Sequence, residues 1–112
     1  MIGSRRREPD LWGVIVANAL ESARFLMESR IYEATFDARA RYELGVAYSC
    51  GTGGVDVDLV EAHKWFNLAA LAGSAEGQAC RAEIAGEMTM REIAEAQRQA
   101  RAWLNRIARR AA

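Results

Sequence analysis

HKWFNLAALAG, residues 63–73, places two large aromatics side by side, then two alanines side by side, then a glycine. An ordinary amphipathic helix spreads its bulk more evenly along one face. Small residues such as Ala62 and Ala69 let a paired helix come close. Trp65 and Phe66 then fill the wedge that such a crossing leaves, and the Trp65 indole N–H can still reach a polar group. Gly73 ends the helix in a conformation that reverses the chain. The stretch reads as one half of a closely crossed helix pair.

The other half lies just upstream. GTGGVDVD, residues 51–58, supplies glycines for a tight reversal, and Asp58 with Glu61 has capping-box spacing at the start of helix three. Asp37 is an N-cap for helix two, which continues through ARARYELGVAYSC and ends at Gly51. Downstream, Ser74 caps helix four, AEGQACRAEIAGE. Thr89 with Glu92 opens helix five, MREIAEAQRQARAWLNRIA. Pro9 and Asp10 start helix one, which runs to about Ser29; RIYEATF, residues 30–36, reads ambiguously. Helix one is apolar at Trp12, Ile15, Val16, Ala19, Ala23, Leu26 and Met27, with Leu11, Val14 and Leu20 widening the stripe. A helix apolar over so much of its girth expects neighbours on more than one side. The chain is therefore all-α, about five helices joined by short turns that make consecutive helices antiparallel neighbours.

The second half repeats the first. EAHKWFNLAA, residues 61–70, sits over QARAWLNRIA, residues 99–108, with Trp65 on Trp103, Ala62 on Ala100 and Asn67 on Asn105, an offset of 38. Asp37 on Ser74 gives an offset of 37. A period in the high thirties is the signature of a helical solenoid.

The run from Ala40 to Gly73 resembles the Sel1-like repeat, a relative of the tetratricopeptide repeat. The resemblance rests on Leu44-Gly45, Tyr48, Gly51, Gly54-Val55, Asp58, Ala62, Trp65-Phe66, Ala69-Ala70 and Gly73. Glu61 stands where the family often has lysine, read here as a surface change of little weight. The resemblance implies a short α-solenoid that works as a protein–protein adaptor or scaffold, often in bacterial signalling, envelope or stress pathways. On this reading residues 1–9 are a basic tail and 10–36 an N-terminal helix with its connector. Residues 37–73 are the repeat, and 74–112 a degenerate capping helix pair.

Net charge is zero, with 15 basic and 15 acidic residues, which weighs against a nucleic-acid binder. Arg5 to Arg7 before LWGVIVANA hint at an export signal, but Glu8, Pro9 and Asp10 interrupt it. No apolar run is long enough to span a bilayer. The default is a cytoplasmic protein with Cys50 and Cys80 as reduced thiols. By the 37 offset Cys80 falls seven residues from Cys50, about 10 Å along stacked helices, too far for a disulfide.

No catalytic constellation stands out. CGTGG lacks the strand and the Gly-Lys-Ser/Thr of a phosphate loop. His63 is the only histidine and has no metal-ligating partners at workable spacing; with Glu61 and Asn67 it reads as part of a solvated face. Neither cysteine has a base beside it, so a hydrolase using Cys50 or His63 is disfavoured. Glu83, Glu87, Glu92 and Glu95 are interspersed with arginines, as on a solvated helix face. No metal or cofactor is expected. Binding of another protein or peptide is the expected function. Groove candidates are Arg39, Tyr42, Val46 and Ser49 on helix two, with Glu76 and Glu83 on helix four; Tyr42 and Val46 read equally well as core. The second expected route is association through Leu11, Trp12, Val14 and Leu20 of helix one, in a homo-oligomer or as a structural subunit.

Overall fold

A computed structural model describes residues 10–111. The basic tail at residues 1–9, and the export reading attached to it, lie outside the described residues. Five helices follow one another: α1 Leu11–Ala34, α2 Ala38–Cys50, α3 Leu59–Leu71, α4 Ala75–Ala85 and α5 Met90–Ala111. There is no strand among the described residues.

The helix boundaries follow local chemistry. Asp37 accepts from the Arg39 N–H, Asp58 from the Glu61 N–H and Ser74 from the Gly77 N–H. Thr89 and Glu92 complete a reciprocal capping box, at 2.8 and 3.1 Å. Gly51 closes α2 at φ 71°, and Gly73 follows α3 at φ 102°. Asp10 differs: its side chain makes no capping bond. Helix α1 also continues five residues past Ser29. Nothing in RIYEA breaks a helix, and Ile31 and Ala34 gain burial by continuing it.

Helix α3 is the centre. It packs against α2, α4 and α5. Pairs between α2 and α3 run in opposite order: Asp58 N–H donates to Tyr48 O, Phe66 meets Gly45, and Arg41 reaches Leu68 O. The two helices are thus antiparallel. A Cβ on Gly45 would enter the Phe66 ring, and one on Gly77 would come within 2.8 Å of Ala69 Cβ and 3.0 Å of Phe66 O. Two helix-interior glycines therefore let α2 and α4 press onto α3. Helix α5 joins differently from expectation. It packs on α3, while α4 and α5 make little contact with each other.

Two clusters form the interior. Ala62, Phe66 and Ile84 make one, flanked by Tyr42, Val46 and Cys80. The other contains Ala34, Ala40, Leu44, Trp65, Leu68, Ala100 and Trp103. Trp65 and Trp103, matched by the internal repeat, touch edge to face with centroids 5.2 Å apart. The Trp65 N–H donates to Glu61 Oε2 at 3.2 Å, and Lys64 donates to Glu61 Oε1 at 2.9 Å. Glu61 is therefore no passive surface change, since a lysine there could not accept the indole N–H.

Arg41 ties three helices to α2. It donates to Ala34 O, at the end of α1, at 2.7 Å, and to Leu68 O on α3 at 3.0 Å. Its guanidinium carbon lies 4.9 Å from the centre of a Trp103 ring. Burial pushes its pKa down from the usual value, yet a guanidinium stays charged at any ordinary pH.

His63 departs from the solvated-face reading. It is 3% exposed, and its Nδ1 has no hydrogen-bond partner. Arg81 of α4 donates to Asn67 Oδ1, one turn along α3. Burial first, then the charge of Arg81, lowers the His63 pKa from its ordinary 6.5.

The first two turns and more of α1 stand apart from this body. Leu11, Trp12, Val14, Ile15, Val16, Leu20, Phe25 and Leu26 are all exposed, Trp12 by 73%. The radius of gyration, 19.0 Å, exceeds the roughly 13 Å of a compact domain of this length.

Three outcomes follow. Trp65→Ala lowers unfolding free energy by about 3–5 kcal/mol in urea denaturation, because it empties the contact between α3 and α5. Arg41→Lys costs about 1–2 kcal/mol in the same assay, since one ammonium cannot hold both carbonyls and stack on Trp103. The unfolded chain carries an ordinary imidazole and binds more protons than the native one. Stability from His63 is therefore complete above about pH 6.5 and falls as the pH drops below it. The melting temperature declines as the pH falls below about 6.5, and His63→Gln makes that decline smaller.

Candidate partner-binding groove

The matching caps of α2 and α4 bring their first turns to one place. Asp37, Ala38, Arg39, Tyr42, Ser74 and Glu76 line a single open cleft of about 360 Å³. The 37-residue offset is thus visible in space: Asp37 shares the cleft with Ser74, and Arg39 shares it with Glu76. The two helices begin at the same end, so they run side by side in the same direction.

Each side chain there has a definite setting. Arg39 is exposed and makes only a surface ion pair, to Glu43 at 3.2 Å. Such a pair is weak in water and leaves the guanidinium available. Glu76 is exposed and is approached by Ser74 Oγ at 3.5 Å. Tyr42 is half-buried, its ring 5.8 Å from that of Phe66. Cys80 beside its hydroxyl, with burial and Glu76 adding to it, raises the Tyr42 pKa; Arg39 opposes this. The phenol therefore stays neutral and can donate a hydrogen bond.

The other groove candidates fall elsewhere. Val46 is half-buried against Phe66 and Ala62. Ser49 Oγ donates to Val46 O at 3.0 Å and lies 3.7 Å from Cys50 Sγ. Glu83 is exposed on α4 and does not line the cleft. So Tyr42 serves both core and cleft, whereas Val46 packs on the core and does not line the cleft. Cys80 is a cleft neighbour that spacing along one helix did not reveal; only the stacking of α4 on α2 brings it there.

A second cleft, of about 340 Å³, lies between α1 and α5. Glu28, Ile31, Tyr32, Thr35, Trp103, Arg106, Ile107 and Arg110 line it. Tyr32 and Phe36 meet edge to face at 5.5 Å beside it. This cleft exists because residues 30–34 are helical.

No group of three or more metal-ligating side chains occurs among the described residues. Cys50 and Cys80 are free thiols. Arg98, and then Gln99, hold Glu95 at a pKa of about 2, the reverse of what a general acid requires. No described helix is long and apolar enough to cross a membrane.

Comparison with known proteins agrees with this geometry. The family model called Sel1 repeat matches residues 38–74. No curated protein and no solved structure matches the chain. The matched residues are the antiparallel pair of α2 and α3, with Phe66 seated on Gly45 and the chain reversed at Gly51 and Gly73, so this segment is similar to a Sel1 repeat.

Proposed function

We propose that the chain is a non-catalytic adaptor or scaffold that binds another protein through the groove at the start of α2 and α4. The observation that carries this reading is the meeting of Arg39, Tyr42 and Glu76 in one open cleft. A loosely held cation, a neutral hydroxyl donor and an exposed carboxylate lie within one small space. That set suits an extended peptide with polar side chains of both signs, gripped by its main chain and oriented by charge. The exposed apolar residues of α1 favour a second reading, a subunit that joins a larger assembly through that helix and uses no groove ligand.

The groove reading is tested with Arg39→Glu combined with Tyr42→Phe. The phenylalanine keeps the ring against Phe66 and removes only the hydroxyl. Affinity capture with mass spectrometry identifies the partners of the wild-type chain. The variant loses a groove partner while its circular dichroism and melting temperature stay close to wild type. Unchanged capture by a folded variant shows that the groove does not bind.

A further inference from the structure

The apolar row of α1 does not stop where the body stops. Trp12, Val16, Ala19, Ala23, Met27, Ile31 and Ala34 follow one another at spacings of three and four, so they share one helix face. At the C-terminal end of this row, Met27, Ile31 and Ala34 pack into the cluster around Trp65 and Trp103. At the N-terminal end the same row has no cover: Trp12 is 73%, Val16 39% and Leu20, beside it, 65% exposed. Glu21, Arg24 and Glu28 lie on the opposite face. Exposed Val14 and Phe25 share that opposite side, so the helix is apolar on more than one side, and the half of this row beyond the body is uncovered.

We infer that this overhang, residues 11–26, pairs antiparallel with the overhang of a second copy of the chain. The inference deepens the subunit reading of α1 and rests on it. Area supports it. Trp12, Ile15, Val16, Leu20 and Leu26, on or beside that row, together expose roughly 650 Å² per chain, near the lower end of what each partner contributes to a standard interface. Continuity supports it as well, because the pairing extends an existing core seam onto an identical seam. Orientation follows from the position of the body, which sits on the same side of α1 as the row. Parallel overhangs would force the two bodies into the same space; antiparallel overhangs set them at opposite ends. The overlap is 16 residues, about 24 Å, centred between Asn18 and Ala19, where the small Ala19 lets the axes approach.

Light scattering on the full chain during size exclusion reads the outcome. Wild type elutes at twice the 12.4 kDa of one chain. Trp12→Glu with Leu20→Glu elutes at the single-chain mass, with helical and tryptophan dichroism retained. A register check uses Ala19→Cys with Cys50→Ser and Cys80→Ser: it forms an intermolecular disulfide on mild oxidation, whereas Trp12→Cys in the same background does not. Wild type that stays monomeric across a wide concentration range overturns the inference. If that monomer instead floats with anionic phospholipid vesicles, the face belongs to lipid. If the Trp12/Leu20 variant loses a different captured protein, the second copy is excluded while the subunit reading survives.

Discussion

Helix α3 is gripped between two glycines, and most of the molecule is arranged around that contact. Gly45 lets α2 settle on the Phe66 ring, and Gly77 lets α4 settle on Ala69 and the Phe66 carbonyl. A glycine inside a helix costs about 1 kcal/mol relative to alanine. Here the cost is offset by full burial of Phe66, Ala62 and Ala69, which a wider spacing would leave partly wet. Because α2 and α4 lie on the same helix, in the same direction, their capped ends fall together and make the groove. Because α3 is occupied there, Trp65 must find its cover elsewhere, and α5 brings Trp103 to it.

The central helices were legible because their signals are local. Asp37, Asp58 and Ser74 each act within three residues of their position in the chain, and Gly51 and Gly73 act on their own backbone. The tryptophan match between residues 65 and 103 was legible as a repeat, and the two rings do meet. What the chain hid depends on distant partners. His63 shares a helix row with Asn67 and looked solvated until Arg81 of α4 came over that row. Arg41 resembles any other arginine of a helix surface; its acceptors lie seven residues before it and 27 after it. Glu61 looked dispensable because its acceptor role appears only once the Trp65 ring is buried.

The candidate groove was partly legible for the same reason. Arg39 and Glu76, paired by the 37-residue offset, line one cleft because α4 stacks beside α2. The offset could not separate a side chain that points to the cleft from one that points to the core. Tyr42 does both, with its ring on Phe66 and its hydroxyl toward Cys80 and the cleft. Val46, one turn further, is half-buried against Phe66 and Ala62 and does not line the cleft. The helix-one stripe raised a different problem. Its apolar width was visible, but only the structure shows that its lower half is used and its upper half is not.

Arg41 gives the molecule a joint as well as a tie. The carbonyl at the end of α1, the carbonyl near the end of α3 and the face of Trp103 all converge on a single planar group. A lever of sixteen residues projects from one side of that group, and the groove opens a few residues along α2 from it on the other. Tilting α1 against α3 therefore works against two hydrogen bonds held by one rigid guanidinium.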